Sequence, residues 1–199
     1  MNIFDLDIIQ PCYNPPDEWE KHTVLYYREI CKLLPDFSIR LSIVNDGSSH
    51  PISSEKVEYI RTYIPHFTFI SYDLNQGKGY ALRKGVEQSS ATYQIYSDID
   101  FPYKIDNLVS MAQALRAGAD IVIGVREKDY YNHLSYKRKI TSKWAQLLNK
   151  LFLRLPVNET QSGLKGFNHK GRSIFLKTIV KRFLFDTEFV AMASRDKSI

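Results

Sequence analysis

Asp98 and Asp100 stand two residues apart where the run Tyr93–Ser97 ends, in the stretch YQIYSDIDFPYK. The residues before them are apolar and aromatic, the composition of a buried strand. Side chains at i and i+2 of an extended segment share one side. Two carboxylates placed so repel each other unless a cation sits between them. An isolated D-x-D is commonly no more than a solvated acidic loop. Directly after a buried strand, the pair reads instead as ligands for a hard cation, because Mg2+ and Mn2+ prefer carboxylate and phosphate oxygen. Such a metal would cancel the repulsion and bridge a diphosphate.

Other residues carry weaker signals. Asp46, in VNDGSS, fits a turn before Gly47 as readily as it fits an acceptor for a base or ribose. In NQGKGYALRKG, Gly77 and Gly79 allow a tight turn into a helix, and Lys78 and Arg83 are either solvated helix charges or contacts to a diphosphate. The spacing matches neither common phosphate-loop template. Five histidines are scattered without ligand spacing, so neither a zinc site nor a catalytic triad is indicated.

The elements that would position these residues follow from hydropathy. Strand-like runs cover Leu6–Pro11, Ile39–Asn45, Phe67–Tyr72, Tyr93–Asp98 and Ile121–Val125. Between them, helical patterns cover Asp17–Leu34, Ser53–Tyr63, Gly79–Ser89 and Ile105–Ala117. Strands alternating with helices predict a mostly parallel sheet flanked by helices, an α/β fold in one domain over 1–199. Ligands of such sheets bind beyond the carboxyl ends of the strands. The four successive ends PCYNPPDE, NDGSSH, DLNQGKGYALRKG and SDIDFPY are all polar, turn-forming or acidic. Their convergence on one edge is the main sequence argument for a site.

The bulk numbers agree with a globular chain: 199 residues, 44% hydrophobic and 25% charged. Two cysteines, Cys12 and Cys31, make no disulfide framework and fit a reducing, cytoplasmic setting. The start MNIFDLDIIQP lacks the features of a signal peptide, and no window reaches the length of a membrane span. The end AMASRDKSI has no helix stop or turn signal, which leaves open a continuation past residue 199. The net charge of +5 suits nucleic acid, nucleotide diphosphates or an anionic membrane surface. It is concentrated at Lys137, Arg138, Lys139, Lys143, Lys150 and Arg154. Within that segment Trp144, Leu147, Leu148, Leu151, Phe152 and Leu155 form a stripe at helical spacing. A core-facing helix is the simpler reading, and an interfacial helix against anionic head groups is the sharper one.

Taken in order, IIQPCYNPPDE, IVNDGSS, NQGKGYALRKG, SDID and GVR resemble the family 2 glycosyltransferases with the GT-A fold, a Rossmann-like sheet. The later ETQSGLKGFN and FDTEFV resemble the polyprenyl-phosphate sugar synthases of that family, the dolichyl-phosphate mannose and glucose synthases. The resemblance implies an inverting transfer from a UDP- or GDP-sugar with Mg2+ or Mn2+ as cofactor. The acceptor it implies is a polyprenyl phosphate or, failing that, a saccharide hydroxyl. Peripheral membrane contact is implied as well, and no nucleic acid. Position by position, it puts Pro11, Tyr13, Asn14 and Glu18 beside the nucleotide, Asp46 at the base, and Lys78 on the nucleotide side of the glycine turn. Asp98 and Asp100 become the metal and diphosphate pair. Arg126, with Arg138 second, meets the acceptor phosphate. Gln161 and Ser162, before Gly163, flank the sugar, and Asp186 and Glu188 are a carboxylate pair near the reaction centre. Leu164-Lys165 stands where many relatives have an aromatic followed by a basic residue. Two other classes remain open: a nucleotidyltransferase, against which the glycine-free first loop counts, and a non-catalytic nucleotide-binding module.

Overall fold

The computed structural model describes residues 4–101, 103–124, 162–182 and 184–199. In chain order these form β1 (Leu6–Cys12), α1 (Trp19–Leu33), β2 (Ile39–Asp46), α2 (Ser54–Tyr63), β3 (Phe67–Tyr72) and α3 (Lys78–Gln88). There follow β4 (Tyr93–Tyr96), α4 (Ile105–Arg116), β5 (Ile121–Ile123), β6 (Lys165–Phe167), α5 (His169–Phe175) and α6 (Phe185–Ala193). The nine predicted elements are all present, with boundaries within one or two residues wherever both ends are described.

The strands form one sheet in the order β3-β2-β1-β4-β6-β5. β3, β2, β1 and β4 pair in parallel, as expected for strands joined by helical crossovers. β6 was not anticipated. It slots between β4 and β5 and runs antiparallel to both. Three residues, one of them Gly166, are too few for a periodic signal.

Both faces of the sheet are covered. Ile8, Leu41, Ile43 and Ile95 pack with Val24, Tyr27 and Ile30 of α1 and Leu108, Met111 and Leu115 of α4. Ile9 and Tyr96 face the other way, onto Leu82 and Val86 of α3, Phe175 of α5, and Phe185 and Phe189 of α6. Alternate strand residues thus fill two cores, which is why the strands read as continuous apolar runs. α6 also escaped the sequence reading. FDTEFVAMA buries Phe185, Asp186, Thr187, Phe189 and Val190, so it lacks a clean polar face.

One local expectation is corrected. β4 stops at Tyr96, not Asp98, although Ser97 N–H still donates to Ile9 O at 3.1 Å. The chain then turns, with Phe101 N–H donating to Asp98 O at 3.1 Å and Phe101 in the left-handed region at φ 44°. Asp98 and Asp100 are therefore gathered by a turn and not by the two-residue repeat of an extended strand.

Candidate active site

The carboxyl ends of β1, β2, β3 and β4 meet at one edge, as parallel pairing requires. Asp46 ends β2 and is buried, with 3% exposure. Its carboxylate accepts hydrogen bonds from Tyr72 Oη (2.7 Å), Asn75 Nδ2 (2.9 Å), Gln76 N (2.8 Å) and Gly77 N (2.9 Å). Asp46 thus organises the glycine turn from inside. Gly77 sits at φ 100°, open to glycine, and a Cβ there would lie 2.5 Å from Lys181 O. The same Lys181 carbonyl accepts from Gly79 N at 2.8 Å and Tyr80 N at 3.3 Å. Two N–H groups in the first turn of α3 are thereby satisfied by protein.

Lys78, the first residue of α3, reaches across the edge to form an ion pair with Asp98 Oδ1. Its ammonium also lies 5.9 Å from the centre of the Phe185 ring. Gln10 Nε2 holds Asp98 O at 3.1 Å, and a Cβ on Gly163 would overlap Asp98 Oδ2. Asp100 is exposed one step further along the turn. Loss of hydration in the turn, and then the charge of Asp98, push its pKa above the usual 3.8, while a backbone hydrogen bond and Lys78 pull the other way. Oxygen donors under mutual repulsion fit a hard divalent cation. Among the described residues no three His, Cys, Asp or Glu side chains converge to hold one alone. Asp98 and Asp100 would thus leave coordination positions to a phosphate ligand.

Asp186 lies deeper, at 4% exposure. Its Oδ1 accepts from Tyr96 Oη at 2.6 Å and pairs with Lys165 Nζ at 2.5 Å. Lys165 is fully buried and also donates to Ser162 O at 2.5 Å. Tyr96 is sealed in the core, and burial first, then Asp186, pushes its pKa well above 10. Glu188 turns away from Asp186, its carboxylate accepting from Ile179 N (3.1 Å) and Val180 N (2.9 Å). Arg83 grips the same segment through Thr178 Oγ1 (3.1 Å) and Val180 O (2.9 Å). The sequence reading left Arg83 between a solvated charge and a diphosphate contact; it is buried, and its guanidinium holds this segment and does not stand in solvent. Ser162 is fully buried, with Tyr103 Oη 3.2 Å from its Oγ and 2.7 Å from Gly163 N, which donates to it.

The first loop leaves the same edge between the ends of β2 and β4. Asn14 takes φ 46° and ties that loop to the next, donating from N to Ser48 Oγ (3.0 Å) and from Nδ2 to Ser49 Oγ (2.9 Å). Tyr13 is half exposed beside it, and Pro11 lies within β1. Glu18 caps the start of α1 in the left-handed region and pairs with Lys21 at 2.5 Å in solvent. Arg126, Arg138, Gln161 and the Trp144–Leu155 stripe lie outside the described residues. β5 runs parallel to β4 with β6 between them, and Gly124 N donates to Leu164 O at 2.9 Å. β5 therefore ends at the same edge as β4 and Asp98. Sequence reasoning missed Tyr96, Tyr103 and Gln10. Only Lys165, a lone charge inside the apolar LKGF, carried a legible signal.

The family model for glycosyl transferase family 2 matches residues 7–184, and the chain belongs to that family. Its fold is the GT-A fold: the Staphylococcus aureus TarS 1–349 structure in complex with UDP-GlcNAc superposes with a TM-score of 0.58 at 16% identity, over 94% of this chain and 53% of that one. Among curated proteins, a dolichyl-phosphate beta-glucosyltransferase of Drosophila melanogaster is 25% identical over 97% of this chain and 64% of its own length. The Homo sapiens enzyme of the same name is 25% identical over 94% and 62%. A bactoprenol glucosyl transferase of Shigella phage SfV is 26% identical over 90% and 57%. The chain thus spans less than two thirds of the length of these relatives. Among the described residues no helix is long and apolar enough to cross a membrane.

Proposed function

We propose that this chain carries the donor-binding and transfer site of an inverting, metal-dependent glycosyltransferase that moves a sugar from a UDP- or GDP-sugar to a polyprenyl phosphate. The observation that carries the acceptor class is the state of the two late carboxylates. Asp186 Oδ1 is engaged by Lys165 and Tyr96, and Glu188 by two backbone N–H groups. To take a proton from a sugar hydroxyl, Glu188 would have to give up those bonds, and Asp186 would have to act through Oδ2 while Lys165 and Tyr96 hold Oδ1. A phosphate acceptor is already ionised and needs no base. The names of the curated relatives support the same class.

In this reading the first loop, with Pro11, Tyr13, Asn14 and Glu18, borders the nucleotide, and the turn organised by Asp46 presents Lys78 to the diphosphate. Asp98 and Asp100 would hold Mg2+ or Mn2+, which when bound would supply Lewis-acid neutralisation of the departing diphosphate. An oxygen of the acceptor phosphate attacks the anomeric carbon, and the bond to the nucleoside diphosphate breaks with its electron pair on the leaving oxygen. Asp186, fixed by Lys165 and Tyr96, shapes the sugar side together with Gln161 and Ser162. Arg126 pairs with the acceptor phosphate, and the basic segment beyond it meets a membrane surface peripherally.

The test uses a short polyprenyl phosphate and a saccharide acceptor side by side. Arg126→Ala should abolish transfer to the lipid phosphate while nucleotide binding and slow donor hydrolysis persist. Glu188→Gln should lower the melting temperature without removing transfer. Full lipid transfer by Arg126→Ala, or transfer by the parent to the saccharide alone, overturns the reading.

A further inference from the structure

The cation paired with Asp98 is Lys78, and its surroundings give that pair a role of its own. The backbone of Lys78 is fixed on both sides, by Asp46 at Gly77 N and by Lys181 O at Gly79 N. The side chain, 26% exposed, spans from there to Asp98 Oδ1. Asp98 Oδ2 lies against Gly163, where a Cβ would overlap it. One oxygen of Asp98 is thus held by the ammonium and the other packs against Gly163, while Asp100 stands exposed beside it.

We propose that Lys78 is a built-in stand-in for the metal. It neutralises Asp98 when no donor is bound and releases that oxygen to a divalent cation when a nucleoside diphosphate arrives to receive the ammonium. This rests on Asp98 and Asp100 being the metal pair. Charge balance favours it. Without donor, two carboxylates share one lysine. A divalent ion arriving alone must displace the ammonium into solvent and sit beside it. A divalent ion arriving with a diphosphate brings anionic oxygens that accept Lys78, so the exchange keeps every charge paired. Metal and nucleotide then bind with positive coupling, each raising the affinity of the other by the same factor.

Mn2+ titrations followed by the paramagnetic resonance of the free ion test this on the parent, Lys78→Met, Lys78→Gln and Lys78→Arg. Each is run alone and with GDP or UDP, corrected for Mn2+ bound by nucleotide in solution. In the parent, nucleotide should tighten Mn2+ binding by about tenfold or more. In Lys78→Met, Mn2+ alone should bind about tenfold tighter than in the parent, with GDP and UDP weaker and the coupling reduced. Lys78→Gln carries the same expectation and replaces the methionine variant if that one melts early. Lys78→Arg should stay close to the parent. Folded Met and Gln variants with parental affinity for Mn2+ alone overturn the proposal. A parent that takes up no Mn2+ even with both nucleotides overturns the metal reading itself, a separate failure.

Discussion

Replacing Asp46 by alanine separates a carboxylate that faces a ligand from one that builds the loop. In the structure it accepts from two side chains, Tyr72 and Asn75, and from two backbone groups, Gln76 N and Gly77 N. The side chains can turn toward water. The backbone donors cannot leave a turn that Gly77 and Lys181 already lock. A buried donor left without a partner costs about 1–3 kcal/mol, so two in mid-range cost about 4 kcal/mol. For a chain of this size that is a fall in Tm of roughly 8–16 °C. Thermal and urea unfolding without nucleotide measure it, and titration with UDP and GDP below the transition measures the rest. Nucleotide affinity should also fall, because Lys78 follows the turn, but the stability loss needs no nucleotide to appear. A folded Asp46→Ala protein melting within about 2 °C of the parent would refute the loop-building role and return Asp46 to direct ligand contact.

Two further outcomes follow from the geometry. Gly163→Ala should keep the fold but push the Asp98 carboxylate aside, since the new methyl would lie 3.1 Å from Asp98 Cγ and overlap Oδ2; calorimetry should find Mn2+-dependent nucleotide binding weakened, and unchanged binding would mean that Asp98 is not the ligand. Asp7 is fully buried, and loss of hydration lifts its pKa from 3.8 to about 6 against the opposing pull of Ser89, Arg40 and Ser42. Between those values the folded chain binds the proton more readily than the unfolded chain, so the charged form costs stability at neutral pH and the cost fades as pH falls through 6 toward 4. The melting temperature of Asp7→Asn relative to the parent should therefore rise between about pH 5 and about pH 7.5, whatever its sign at either end after Arg40 loses its partner; a difference independent of pH would contradict the burial argument.

Alternation of apolar runs and helical stripes was enough to read β1 to β5 and α1 to α4, their order, and the edge on which their polar carboxyl ends converge, because those signals are local and repeat along the chain. The pair Asp98 and Asp100 was legible for the same reason: it follows a strand end. What the sequence could not reveal is which groups each charge meets. Asp186 meets Tyr96, 90 residues away, and Lys165, 21 away. Asp46 meets a turn 26 to 31 residues on, and Lys78 crosses 20 residues to Asp98. β6 became a strand through its neighbours, since three residues around a glycine have no pattern of their own. Only closure of the sheet brings these groups together. A buried charge must find a partner once water is excluded, and the folded chain alone decides which partner lies within reach.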